Sequence, residues 1–192
     1  MYKKLTSLQN LNSLGLNVFN YWIVTSVREV TAALQRFGRL SLRFDSKWGE
    51  DSLPFYVLDT NCTESEIEQI LILADSKDCI AIASNGIQFD PFLKYNLVVQ
   101  FSANGDFIAE ASPEKIPLRK MYNSPLLSVH SNIHNSLIDW STNDYYGLDR
   151  RDVLDTLWKL YDLQIYRKWI ECTVYPFPVG LRNEEIVFWQ LN

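Results

Sequence analysis

The segment WIECTVYPFPVGLRNEEIVFWQLN, residues 169–192, decides the predicted fold of this chain. Its two halves, Trp169–Tyr175 and Glu185–Asn192, are rich in β-branched and aromatic residues, which favour strands. A loop that contains proline, glycine and asparagine separates them. The segment therefore predicts a β-hairpin, and we take Gly180 and Leu181 as its centre.

The symmetric hairpin has one polar and one apolar face, because strand side chains alternate between two faces. Glu171 would lie opposite Gln190, and Trp169 opposite Asn192, all on the polar face. This face can build a binding site, and it can equally be the solvated side of an edge sheet. The apolar face would hold Ile170, Cys172, Val174, Val187, Trp189 and Leu191.

Length and composition limit the classes of protein to consider. The 192 residues suit one large domain or two small lobes, and a hydrophobic content of 47% excludes wholesale disorder,. The net charge of −5, without a basic block, argues against nucleic acid as the main partner,. Three cysteines with no zinc spacing suit a reducing cytoplasm,. The pattern predicts neither a membrane span nor a signal peptide, and it indicates no oligomeric state.

Helices and strands alternate irregularly along the rest of the chain. Capping boxes at Ser26–Glu29 and Thr63–Glu66 predict two helix starts, and Asp149 predicts a third,. Asn104 and Gly105 predict a tight antiparallel hairpin. The helix after Asp149 should bury a stripe formed by Val153, Leu154, Leu157, Trp158 and Tyr161,.

These elements favour an α+β architecture of mostly antiparallel sheets flanked by helices, rather than a doubly wound parallel sheet. The charged, proline-containing stretch at 113–123 is a candidate connector. It would divide the chain into an N-terminal lobe with hinge strands, residues 1–112, and a C-terminal lobe with helices and the closing hairpin, residues 113–192. One compact domain is the alternative.

His130 and His134 are the two histidines of the chain. Ser124 and Pro125 predict a helix start, and the helix would run to about Trp140, with both histidines on one face. Zinc can be ligated at that spacing, but a core histidine is the favoured interpretation, and we expect no bound metal. The sequence contains no phosphate-binding glycine loop and no nucleophile motif. No catalytic residue is therefore assigned.

Arg43 is the best candidate for contact with phosphate. It lies in the alternating stretch Arg39–Asp45, on the side away from the leucines, and the polar loop that contains Lys47 follows,. A guanidinium group suits bidentate contact with phosphate oxygens. The alternative is a solvent-facing arginine paired with Asp45 or Glu50.

The order of elements resembles that of the ATP-grasp superfamily. LNSLGLNVFNYWIVTSVREVTAALQRFGRLSLRFD, residues 11–45, is similar to the small lobe of such enzymes, in which a strand brings Lys or Arg to the nucleotide phosphates. SKWGEDSLPFY, residues 46–56, stands where the phosphate-covering loop lies. DCIAIASNGIQFD, residues 78–90, is similar to the hinge strand beside the adenine pocket. Residues 170–192 resemble the closing strands that hold magnesium through acidic residues and an Asn.

The resemblance implies an ATP-grasp-like nucleotide-binding protein with ATP and Mg²⁺ as cofactors. If the chain is active, it would be an ATP-dependent ligase or phosphotransferase. Arg43 and Lys47 would hold the phosphates, and Ser84 and Asn85 would line the base. The magnesium ligands would be three residues of the closing hairpin: Glu171, Gln190 and Asn192.

One replacement keeps a second interpretation open. Gln190 stands where the family has Glu, which removes a negative charge that magnesium favours. The chain also contains 6 Trp and 10 Tyr, residue types that are enriched at protein interfaces,. The alternative is therefore a non-catalytic interaction or accessory protein of α+β fold with a protein partner. The resemblance further implies that Arg43 and the polar face of the hairpin converge across a cleft between two lobes.

Overall fold

A computed structural model describes residues 2–47, 53–85, 94–113, 127–135, 138, 149–175 and 185–191. The chain divides into two compact units, Met1–Ile87 and Gln88–Asn192, which we call the N-terminal and C-terminal units. The division therefore falls before the Asn104 hairpin and not between residues 112 and 113. The reason is that the first strand of this hairpin pairs with Trp169–Tyr175 in the C-terminal sheet.

The N-terminal unit contains a four-stranded sheet in the order β1-β4-β2-β3, and each of its pairings is antiparallel. Its helices and strands follow in chain order as α1 (Lys3–Ser13), β1 (Tyr21–Val24), α2 (Val27–Phe37), β2 (Arg39–Ser46), β3 (Tyr56–Asp59), α3 (Glu64–Asp75) and β4 (Cys79–Ser84).

The helices α2 and α3 begin at the two predicted capping boxes. The Ser26 hydroxyl accepts a hydrogen bond from the Glu29 N–H, and the Thr63 hydroxyl accepts one from the Glu66 N–H. These bonds satisfy N–H groups that lack partners within the helix. The apolar residues of both helices then join one face of the sheet in a buried cluster that includes Val30, Leu34, Leu40, Leu42, Phe44, Ile67 and Ala83.

The helix α1 lies against strand β2 through two polar contacts. The Lys4 Nζ donates to the Phe44 carbonyl oxygen over 2.7 Å, and the Leu5 N–H donates to Asp45 Oδ2 over 2.8 Å. Lys4 and Asp45 are both buried, so each charged group has a partner where water is excluded,. Because Asp45 and Arg43 alternate with the leucines, α1 lies at one end of the face that carries Arg43.

The C-terminal unit contains a five-stranded sheet in the order β7-β6-β5-β8-β9, and all the pairings within it are antiparallel. Its described elements are β5 (Tyr95–Phe101), β6 (Asp106–Pro113), β7 (Leu127–Asn132), α4 (Arg150–Tyr161), β8 (Trp169–Tyr175) and β9 (Glu185–Leu191). The Asn104 turn joins β5 to β6, as predicted. The two units together confirm the predicted α+β architecture of antiparallel sheets flanked by helices.

Asp149 caps the start of the helix α4, as predicted, and its carboxylate accepts a hydrogen bond from the Arg151 N–H. The predicted buried stripe is confirmed for Val153 and Leu157 but is wrong for Trp158, which is 36% exposed, while Leu154 and Tyr161 are only half-buried. Thr156 takes part of the face toward the sheet instead, because its hydroxyl is hydrogen-bonded to the Tyr95 hydroxyl over 2.7 Å. The buried residues of α4 are Val153, Thr156, Leu157 and Leu160.

The predicted helix around the histidines is wrong, because Leu127–Asn132 forms strand β7. Leu127 and Val129 are buried while His130 is exposed, which is the period of two expected of a strand,. His134 follows in a turn, and its ring packs against Trp158 with 5.5 Å between ring centroids. The helical spacing of the apolar residues was misleading because pairing with β6 outweighs local pattern,. The predicted ends of that helix lie outside the described residues.

Candidate functional site

The two strands of the closing hairpin pair antiparallel, and Glu171 of β8 pairs directly with Gln190 of β9, as predicted. Both side chains are half-buried. Directly opposed residues in an antiparallel pair share a face, with about 4.5–5.5 Å between Cβ atoms. The structure therefore brings two of the three predicted magnesium ligands together, and the third, Asn192, lies outside the described residues.

A β-bulge between Glu171 and Cys172 changes the register of the rest of the hairpin. Cys172 pairs with Phe188, so Phe188 shares its face, and Thr173 pairs with Val187,. The predicted faces of Val187 and Trp189 are therefore wrong. The cause is one extra residue in β9, which reverses the alternation on the far side of the bulge. Residues 187 to 189 are all buried, so the apolar pattern of the sequence contained no sign of this change.

Three buried polar side chains beside the Glu171–Gln190 pair were not recognised in the sequence. The Trp189 indole N–H donates to the Thr173 hydroxyl, which donates to Asn96 Oδ1. Both distances are 2.6 Å. Nothing in the local pattern could have predicted these contacts, because Asn96 and Thr173 are 77 residues apart.

Arg43 and Ser84 lie on one face of the N-terminal sheet. Ser84 of β4 pairs with Ser41 of β2, two residues before Arg43, so Arg43 and Ser84 are diagonal neighbours on adjacent strands. Diagonal neighbours are about 7–8 Å apart, within reach of an arginine side chain. Arg43 is half-buried and Ser84 is buried. A phosphate-binding candidate and a base-lining candidate are thus neighbours.

Lys47 and Asn85 follow the ends of the two strands that carry this pair. Lys47 is exposed just after β2, and its N–H donates to the Asp78 carbonyl oxygen over 3.5 Å. Asn85 is half-buried just after β4, and its N–H donates to the Asn20 carbonyl oxygen over 3.3 Å. Ser84 ends β4, the last strand of the N-terminal unit, and Asn85 follows it, two residues before the boundary of the unit at Ile87.

Two cavities are lined by other parts of the described chain. A groove of about 590 Å³ in the N-terminal unit runs past β1, α3 and β4, with Ile23, Leu71 and Ile72 among its lining residues. A cleft of about 210 Å³ in the C-terminal unit is lined by residues that include His130 and Arg167. Neither Arg43 nor Glu171 lines these two cavities, so we do not assign either cavity to the candidate site.

Two groups of the C-terminal sheet, the Asp106 carboxylate and the Cys172 thiol, have shifted pKa values. Hydrogen bonds from Asn132 and Asn104 lower the pKa of Asp106, so this carboxylate ties the β5–β6 turn to the end of β7,. Burial raises the pKa of the Cys172 thiol well above its ordinary value, and the charge of Glu171 adds to this effect. A thiol that stays protonated is a poor nucleophile, and Cys172 is also fully buried, so neither observation favours a reactive role for it,.

The candidate magnesium donors fit one mode of binding. Within the described ranges, no group of three or more His, Cys, Asp and Glu residues could hold a metal ion. Magnesium commonly binds through one or two carboxylates together with substrate phosphates and water. The Glu171 carboxylate and the Gln190 amide oxygen suit that mode, because phosphate oxygens would complete the shell.

In the part of the chain that the structure describes, no helix is long and apolar enough to cross a membrane.

Comparison with known proteins identifies the fold. No protein-family model and no curated protein matches this sequence. Among solved structures, D-Ala-D-Ala ligase from Helicobacter pylori is 16% identical with a TM-score of 0.56, and the match covers 100% of this chain and 53% of the ligase chain. The ADP complex of purK, N5-carboxyaminoimidazole ribonucleotide synthetase, is 15% identical with a TM-score of 0.53, with 100% and 44% covered. The macrocyclase MdnC from Microcystis aeruginosa, bound to the precursor peptide MdnA, is 14% identical with a TM-score of 0.50, with 98% and 51% covered.

The chain has an ATP-grasp-like fold. It spans about half the length of the solved structures that it matches. The resemblance predicted from the sequence is thereby confirmed at the level of the fold. The identities of 14–16% establish the fold alone.

Proposed function

We propose that this chain is an ATP-grasp-like nucleotide-binding protein that takes ATP together with Mg²⁺. The observation that carries the proposal is the direct pairing of Glu171 with Gln190, in a chain that aligns over its whole length with an ADP complex. An acidic and an amide oxygen donor on the closing strands are the ligand types that magnesium accepts beside nucleotide phosphates.

Each candidate residue has a role that follows from its chemistry. The guanidinium group of Arg43 would make charge-assisted hydrogen bonds to phosphate oxygens, and the exposed Lys47 would add a second positive charge. Ser84 and Asn85 would line the base. Magnesium, held by Glu171 and the two amides Gln190 and Asn192, would neutralise charge on the phosphates and orient them.

A ligase or phosphotransferase of this class would act by positioning and by neutralising charge, which requires no nucleophile from the chain. The amide at Gln190 supplies no negative charge, so Glu171 would be the single charged ligand among the three candidate magnesium ligands. This observation favours a second candidate function, a non-catalytic accessory protein that binds nucleotide weakly. The macrocyclase MdnC was solved with a precursor peptide bound to it. By analogy, we propose a peptide or protein partner for this chain, whether it is a catalyst or an accessory protein.

Isothermal titration of the purified chain with ATP, in MgCl₂ and separately in EDTA, tests nucleotide binding. We expect Arg43→Ala to weaken ATP binding about 10- to 100-fold, because a hydrogen bond to a charged group contributes about 1.5–3 kcal/mol. Arg39→Ala is the matched control, because Arg39 lies on the same strand and face but is exposed at its start. Equal losses in the two variants, or no ATP binding by the unmodified chain at about millimolar concentration, would contradict the proposal.

A further inference from the structure

The bulge in the closing hairpin determines which side chain of β9 lies opposite Glu171. Between the bulge and the loop, four pairs run from Cys172 with Phe188 to Tyr175 with Glu185. If that register continued without a bulge, Glu171 would pair with Trp189 instead of Gln190. Gln190 would then pair with Ile170 and point to the buried apolar face. The bulge is therefore what gives Glu171 a polar neighbour.

A buried chain of hydrogen bonds lies at the bulge. The Thr173 hydroxyl accepts from the Trp189 indole N–H and donates to Asn96 Oδ1, each over 2.6 Å. Thr173 and Asn96 are fully buried, and Trp189 is 3% exposed. The chain joins the strands β9, β8 and β5. A buried hydroxyl that both accepts and donates defines the position of the indole, because moving Trp189 would break bonds that water cannot replace.

We propose that Thr173 and Trp189 are positioning residues, which hold the bulge and thereby keep Gln190 beside Glu171. For the role of that pair in binding magnesium, the inference rests on the proposed function. For the geometry of the pair, it stands on the register and the hydrogen bonds alone. Without the Thr173 hydrogen bonds, the four-pair ladder from Cys172 to Tyr175 should extend through the bulge, because it is longer than the two-pair ladder of Ile170 and Glu171.

Disulfide trapping tests the geometry without any ligand. Glu171→Cys/Gln190→Cys places two thiols at directly opposed positions, at the long end of the Cβ–Cβ separation that a disulfide can bridge. We expect efficient cross-linking with Thr173 present and at least a fivefold lower yield in the Thr173→Val background. Thr173→Val keeps the shape of the side chain and removes the hydroxyl, whereas Thr173→Ser keeps the hydroxyl and should restore the yield. Peptide mapping separates this link from links to native cysteines.

A second cysteine pair keeps the result interpretable if Thr173→Val weakens the fold. Tyr175→Cys/Glu185→Cys lies in the four-pair ladder and should cross-link equally well in all three backgrounds. Loss of the first link with retention of the second supports the positioning role. Retention of both links in Thr173→Val would overturn it, and loss of both would mean that Thr173 only supports folding, which also overturns it.

The magnesium dependence of ATP affinity tests the consequence for the site. We expect the ratio of the Kd in EDTA to the Kd in MgCl₂ to exceed one for the unmodified chain and to fall to about one in Thr173→Val. The affinity in EDTA should stay the same, and Thr173→Ser should keep the ratio. A ratio of one in the unmodified chain would sink the proposed magnesium site, while the cross-linking result would still decide the positioning role.

Discussion

A Cβ atom on Gly105 would lie 2.7 Å from Cδ2 of His134, well inside the contact distance of two non-bonded carbon atoms,. Gly105 has a φ of +90°, and its carbonyl oxygen accepts a hydrogen bond from the Ile133 N–H over 2.8 Å. The turn of the β5–β6 hairpin is therefore packed against the turn that follows β7. His134, considered as a zinc ligand in the sequence, has a packing role at this contact.

Gly105→Ala should destabilise the protein for two separate reasons. The left-handed backbone costs about 1–2 kcal/mol for a residue with a side chain, and crowding in a packed site costs about 1–3 kcal/mol more. Urea denaturation measures the change. A double-mutant cycle with His134→Ala isolates the crowding, because removal of the ring should make Gly105→Ala less harmful. Strictly additive losses would contradict the predicted contact.

Leu157→Ala should lower the free energy of unfolding by about 2–5 kcal/mol, because Leu157 is fully buried in α4 and its replacement leaves a cavity,. Lys159→Ala, on the exposed side of the same helix, is the matched control and should change stability little,. The midpoint of urea denaturation gives both values. Similar midpoints for the two variants would show that α4 does not pack through Leu157.

Glu66→Gln should destabilise the protein near neutral pH but not in acid. Hydrogen bonds from the Thr63 backbone N–H and then the Thr63 hydroxyl lower the pKa of Glu66 below its ordinary 4.5. The ionised carboxylate therefore stabilises the fold above pH 4.5, and this contribution disappears as the pH falls through the folded pKa,. Denaturation at several pH values between about 6.5 and about 3.5 measures it. Glu64→Gln, in the same helical turn, controls for the change in charge, and a pH-independent difference would refute the capping role.

Gln190→Glu should strengthen magnesium-dependent ATP binding, because it adds an anionic ligand directly opposite Glu171,. We expect about a tenfold larger ratio of the Kd in EDTA to the Kd in MgCl₂, together with a lower melting temperature without ligand, since like charges opposite each other repel. Gln100→Glu is the control, because Gln100 pairs with Trp169, two residues along β8 from Glu171. If both variants respond alike, the effect is general charge and not ligation.

The sequence was most informative where one short signal controls one local structure. The capping residues Ser26 and Thr63 and the turn at Asn104 each satisfy backbone groups within a few residues, so their structures could be predicted without the rest of the chain. The pairing of Glu171 with Gln190 was also predicted. Its basis was incomplete, because the symmetric hairpin is correct only at that end of the bulge.

The predictions that failed depend on contacts between distant residues. Nothing near His130 shows that its segment pairs with β6, and nothing near Trp189 shows that its indole is hydrogen-bonded to Thr173. Trp158 was wrongly predicted to be buried, because helix periodicity does not show which of the large residues of a helix face the sheet. The orientation follows from the Tyr95–Thr156 hydrogen bond, which joins positions 61 residues apart.

The position of β5 in the middle of the C-terminal sheet has a consequence for synthesis on the ribosome. Its partner β6 follows directly in the chain, but its other partner, β8, comes much later, because Thr173 lies 77 residues after Asn96. Until β8 emerges, the other edge of β5 exposes unpaired backbone groups beside apolar residues, a state that recruits strands from other chains. Closure of so long a loop also slows folding. Expression at lower temperature or with chaperones should therefore raise the soluble yield more than any change to the local hairpins.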